Sequence, residues 1–169
     1  MLDNLDKAIL EELQRNGRAS ISDIAKRIGR PRTTISERVS RLEREGIIKG
    51  YRAILDPQRL GYKFLAFVML KVRRGVTFEG ESNQEALAKR ILEDTYNTPY
   101  LPYVEEAYIV TGAYDIILKV WAREWEELTR FLIRYLASIG DVVSSETFLV
   151  LETISREKEG FPIKATEEE

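Results

Sequence analysis

The feature that most limits what this chain can become is a change in the spacing of its apolar residues near position 62. Before that point apolar side chains recur every three or four residues in three short runs, the signature of amphipathic helices. Beyond it, alternating or continuous apolar stretches of strand length take over, interrupted by two longer helical runs. Such a chain divides into an all-helical N-terminal part and a mixed C-terminal part.

The helical part can be read residue by residue. Leu5, Ile9, Leu10 and Leu13 share one face behind Asp3, which is placed to cap the helix, with Asp6 near its positive end and Asn16-Gly17 as a stop. Ser20 stands three residues before Asp23 and opens a second helix with Ile21, Ile24, Ala25 and Ile28 on its inner face, ended by Gly29. Pro31 tolerates a first helical position and starts a third, whose stripe is Ile35, Val39 and Leu42 and whose end is Gly46. After Gly46 the run "IIKGYRAILDPQRLG" alternates around Gly50, which predicts a short hairpin and then a linker at Asp56-Pro57 ending near Gly61.

Further on, "KFLAFVMLKV" is a strand, and Leu87, Ile91, Leu92 and Thr95 mark a helix. "VEEAYIV" and "DIILKVW" are strands on either side of "TGAYD". Trp125, Leu128, Leu132 and Tyr135 mark a second helix, and "VVSSETFLVLETI" closes with a strand. Strand, helix, strand, strand, helix, strand is the ferredoxin-like order, an antiparallel sheet with both helices on one face. The other face carries apolar residues with nothing in the chain to cover them, which predicts dimerisation through the sheet. The expected fold is therefore α+β: a helix-turn-helix (winged-helix-like) domain over 1–50, a hairpin linker over 51–62, a ferredoxin-like βαββαβ domain over 63–154 and a charged tail over 155–169, mobile beyond about Pro162.

Charge follows the same division. Residues 1–62 hold 13 Lys/Arg against 9 Asp/Glu, and residues 63–169 hold 13 against 19. Seven of the basic residues fall between Lys26 and Arg44, where there are only two acids. A basic module on an acidic remainder suggests a polyanion partner. The third helix carries Arg32, Thr33, Thr34, Ser36, Glu37, Arg38 and Arg41 away from its apolar stripe, with Arg30 just before it. Two helices joined by a tight turn, the second presenting arginines and hydroxyls, fit the major groove of duplex DNA. Support of the helix by Glu37 with Arg41 accounts for part of this charge only.

Composition closes off other functions. There is no cysteine and no histidine, which excludes disulfides, thiolate chemistry, histidine acid/base schemes and most zinc sites, and no cofactor or metal is called for. An enzyme is a poor reading of the chain, and an RNA-binding sheet would want exposed aromatics on a basic surface, whereas this part is acidic. The longest apolar run, Phe64 to Leu70, is too short to span a bilayer, and the acidic start "MLDNLDK" is unlike a secretory signal, so the cytoplasm is expected. Abundant Glu, Lys and Arg with few Asn and Gln resembles heat-adapted proteins.

The runs "LDKAILEELQRNGRASISDIAKRIG" and "SERVSRLEREGIIKGYRAILDPQRLGY" resemble the N-terminal part of the Lrp/AsnC (feast/famine) family of prokaryotic transcription regulators, and "TGAYD" and the last strand continue the likeness. The resemblance implies a sequence-specific regulator of double-stranded DNA, assembled as a homodimer or, by association of dimers, as a tetramer or octamer. It also implies an amino acid or similar small effector bound between protomers. That effector would sit at Thr111, Gly112, Ala113, Tyr114 and Asp115, with Asp115 or a nearby acid pairing an α-amine, opposite a wall that includes Ser144, Ser145 and Thr147. An effector-independent architectural protein is the alternative. Two departures from the family stand out: Arg30 and Pro31 replace a leucine and a hydroxyl at the start of the third helix, removing its usual cap, and "GVTFEGES" with "NTPYLPY" lengthens the region after the first strand.

Overall fold

The computed structural model describes residues 2–73, 75, 80–154 and 163. The chain forms two compact units, one of residues 1–54 with 154–169 and one of residues 55–153.

In the first unit, α1 (Asn4–Arg15), α2 (Ile21–Ile28) and α3 (Arg32–Arg44) enclose Ile9, Ile24, Ile35 and Leu42, all fully buried. Their starts are chemically specified. Asp3 accepts from the Asp6 amide at 2.8 Å while Asp6 accepts from the Asp3 amide at 3.1 Å, and Ser20 with Asp23 repeats this reciprocal cap on α2. Gly29 ends α2 at φ +72°, a left-handed conformation that side chains disfavour. The helix α3 begins one residue later than expected, with Pro31 as its cap and no side chain bonding its first turn.

The expected hairpin after Gly46 is absent among the described residues: no strand lies between Glu45 and Lys63. The amides of Ile47 and Ile48 both turn back to the Leu42 carbonyl, at 3.0 and 3.1 Å, to close α3, which removes them from any ladder. The Asp56 side chain accepts from the Gln58 amide at 2.9 Å in the turn that leads to Gly61.

In the second unit β1 (Phe64–Val72), α4 (Asn83–Asn97), β2 (Tyr103–Ile109), β3 (Ile116–Ala122), α5 (Trp125–Arg130), a π-helical turn (Phe131–Tyr135), α6 (Leu136–Ser138) and β4 (Val142–Leu149) follow the expected order. The sheet runs β2-β3-β1-β4 with every pairing antiparallel. Ala66, Val68, Leu70 and Val72 of β1 and Ile116, Leu118, Val120 and Ala122 of β3 bury against Leu87, Ile91, Leu128, Phe131 and Leu136 of the helices. The intervening residues form the other face, where Phe67 stands between Lys119 and Phe148, and Met69 between Ile117 and Glu146. The second helix differs from the continuous one expected: a π turn inserts where Phe131, fully buried, stacks on Tyr135 with ring centroids 5.5 Å apart.

Residues 76–79 of "GVTFEGES" and all of the tail beyond Ile154 except Ile163 lie outside the described residues. Ile163 itself is half-buried. Among the described residues no helix is long and apolar enough to cross a membrane.

Candidate nucleic-acid interface and effector loop

The turn between α2 and α3 gathers cations around a shallow concavity of about 440 Å³ lined by Ser22, Ala25, Lys26, Gly29, Arg30 and Arg32. Arg30, Arg32, Thr33, Ser36 and Glu37 are exposed and Thr34 is half-buried. Lys26, Arg30, Arg32 and Arg44 make no ion pair among the described residues. The first-turn amides of α3 have no side-chain cap, so helix dipole and cations combine at one place.

Arg38 and Arg41 behave differently from the expectation that they project to a partner. One Arg38 Nη donates to Asp3 at 2.5 Å and Asp6 at 3.1 Å, and Arg41 Nη2 donates to Asp6 at 2.5 Å. Asp6 is fully buried, and the Arg38 and Arg41 side chains are 31% and 34% exposed, so two cations are drawn inward onto one desolvated carboxylate. The Asp6 amide, together with Arg38, holds the Asp3 carboxyl below its ordinary range. Arg27 is likewise engaged, 2.6 Å from Glu12. The apparent shortage of acids near Arg38 came from counting along the chain, whereas its partners lie 35 and 32 residues away. One signal was available: Asp6, Ile9, Leu10 and Leu13 share a helical stripe, so Asp6 sits where an apolar residue would be expected.

In the C-terminal unit the β2–β3 turn exposes Thr111, Gly112 and Ala113, with Gly112 at φ +125°. Tyr114 donates its hydroxyl to Glu146 of β4. Asp115 is turned into the sheet rather than outward to an amine: it is 2% exposed, accepts from the Val72 amide at 2.9 Å and lies 3.2 Å from Lys71 Nζ. The expected wall on β4 also divides. Ser144 pairs with Lys71 and Ser145 with Leu70, so Ser144 lies on the open face, while Ser145 and Thr147 take the opposite side. The polar cluster that the fold brings together is Lys71, Tyr114, Ser144 and Glu146; Lys71 and Glu146 escaped the sequence reading, although Glu146 alternates with Ser144.

Residues 2–49 match the family model of winged helix-turn-helix DNA-binding domains, and residues 65–159 match that of the Lrp/AsnC ligand-binding domain. The chain belongs to the Lrp/AsnC family of transcriptional regulators. It is 39% identical over 163 residues to the HTH-type transcriptional regulator FL11 of Pyrococcus horikoshii, covering 96% of this chain and 97% of that one. It is 33% identical over 155 residues to the leucine-responsive regulatory protein of Klebsiella pneumoniae, covering 92% and 88%. The solved structure of E. coli AsnC aligns with a TM-score of 0.74 at 32% identity, over 92% of this chain and 97% of that one. A Neisseria meningitidis regulator solved with L-Met shares the fold, with a TM-score of 0.78 at 23% identity over 96% and 97%. This Lrp/AsnC regulator thus joins an N-terminal DNA-binding domain to a C-terminal domain of the ligand-binding type in one α+β chain.

Proposed function

We propose that this Lrp/AsnC regulator reads duplex DNA with the turn and N-terminal half of α3, through Arg30, Arg32, Thr33, Thr34, Ser36 and Glu37 with Lys26 beside them. Arg38 and Arg41 fix the pose of the helix from behind. The observation that carries this reading is that Arg30 and Arg32 stand exposed, without ion pairs among the described residues, beside the uncapped start of α3. A phosphate there meets both free guanidinium groups and backbone amides. The protein acts as a dimer closed through the open sheet face, where Phe67, Met69, Ile117 and Phe148 offer apolar cover, and twofold symmetry lets two copies of α3 enter successive major-groove turns. Dimers of dimers extend the same arrangement, and the protein works in the cytoplasm.

A small amino-acid-like effector binds beside residues 111–114, where Lys71, Ser144 and Glu146 supply charges of both signs for a zwitterion. The family model's description and the L-Met complex of the Neisseria relative support that ligand class. Effector binding alters DNA affinity by favouring one protomer arrangement over another.

The experiment is a salt titration of operator binding. Arg32→Ala and Arg30→Ala should each reduce the log–log slope by about one unit, while Arg38→Ala should leave it unchanged. Unchanged slopes for both Arg30 and Arg32 variants would remove the interface from this surface. For the effector, sedimentation and DNA binding across an amino-acid panel should reveal at least one active compound; a null result throughout would make this an effector-independent architectural protein.

A further inference from the structure

The N-terminal unit carries a second concavity that the DNA reading does not use. Leu10, Leu13 and Gln14 of α1 and Ile47, Ile48, Lys49, Gly50 and Tyr51 beyond α3 enclose about 420 Å³. Its apolar walls are incompletely covered, with Ile47 42% and Tyr51 51% exposed. The groove is anchored at both sides. The Ile47 and Ile48 amides are tied to the Leu42 carbonyl, and the Tyr51 hydroxyl donates to Glu43 in the last turn of α3 at 3.1 Å.

What lines this groove besides those residues is Ile163, from the far end of the chain. The stretch 154–169 belongs to the same compact unit as residues 1–54. Between Ser155 and Glu169 the apolar side chains are Phe161, Pro162, Ile163 and Ala165, set in a run of charged residues ending in three glutamates. Such a segment has one adhesive point. Pro162 restricts the backbone at and before itself, so less conformational freedom is lost when Ile163 is fixed. The acidic end suits a unit whose residues 1–54 carry 12 Lys/Arg against 8 Asp/Glu.

We infer that the C-terminal tail is a ligand of its own DNA-binding unit, with Ile163 seated in the groove between α1 and residues 47–51. Seated there, it lies in the same groove as Tyr51, whose hydroxyl donates to Glu43, which joins the end of the chain to the last turn of the DNA-reading helix. The tail of the same chain is the occupant, because its residue shares the compact unit.

The natural chain has no cysteine, so the full-length protein tests this directly. Gln14→Cys combined with Ile163→Cys should be joined within one chain by a short bismaleimide, at a rate independent of protein concentration. Ser36→Cys with Ile163→Cys, which moves the first thiol to the exposed side of α3, should not be. Equal linking of the control pair, or a concentration-dependent link between two chains, would overturn the assignment. As a second measurement, Ile163→Asp should speed amide exchange in residues 10–14 and 47–51 on the order of tenfold, the loss expected for one partly buried aliphatic side chain, and leave β1 and β3 unchanged. Unaltered exchange in those segments would also overturn it. DNA binding is not a readout in either arm, so failure of the operator contacts leaves this test standing.

Discussion

Asp6→Ala is the most informative single change available in this protein. It removes a fully buried carboxylate that accepts from two guanidinium groups and from the Asp3 amide. Removing one partner of a buried pair costs roughly 3–5 kcal/mol. Because Arg38 and Arg41 are each about a third exposed and water can reach the stranded cations, the lower end applies. Loss of one half of the α1 cap adds about 0.5–1 kcal/mol. The sum, about 3.5–4 kcal/mol, lowers the melting temperature of a unit this size by roughly 14–32 °C. Arg38→Ala should cost far less, because Arg41 still neutralises Asp6 and Asp3 is half in solvent. Hydrogen exchange resolved by segment, alongside calorimetry, is the suitable assay. Both tryptophans, Trp121 and Trp125, lie in the C-terminal unit, so their fluorescence is an internal control that should not move. If Asp6→Ala shifts the N-terminal unit by less than about 1 kcal/mol while Arg38→Ala alone lowers the salt slope of DNA binding, then Arg38 serves phosphate and the clamp reasoning is wrong.

Three further outcomes follow from particular contacts. The Asp3 carboxyl titrates lower folded than unfolded, so its contribution is present above its unfolded value and is lost as the pH falls through the folded one; acid melts of the N-terminal unit should steepen below about pH 4, and Asp3→Asn, which keeps the cap, should flatten that limb. Gly112→Ala meets no neighbour but must occupy φ +125°, so the C-terminal unit should lose about 1–3 kcal/mol by denaturant melts, and an unchanged midpoint would contradict the strain. Phe148→Glu, placed on the open sheet face opposite Phe67, should shift sedimentation toward the monomer without altering the tryptophan-monitored melt; persistence of the dimer would move the interface elsewhere.

The elements that could be read in the sequence are those whose cause is local. Ser20 with Asp23, Gly29 and the stripe of Ile35, Val39 and Leu42 specify helices within a few residues of themselves, and the alternation in β1 and β3 specifies a sheet face. What escaped depends on distant partners. The pattern around Gly50 suggested a hairpin, but the donors that would start it are consumed by Leu42. Asp115 looked like a ligand group because it follows an exposed turn, yet the Val72 amide and Lys71, more than 40 residues earlier, turn it inward. Ser144 and Ser145 looked like one wall until their partners on β1 placed them on opposite faces.

The clamp behind α3 separates two jobs that many helices combine. Asp3, Asp6, Arg38 and Arg41 set the angle of the helix on one flank, while Arg32, Thr33, Ser36 and Glu37 lie on its solvent side. Under the proposed reading, operator preference can drift by substitution at those outward positions with little toll on folding. Conversely, transplanting α3 alone into another scaffold would fail unless Asp6 of α1 and its cap Asp3 travelled with it.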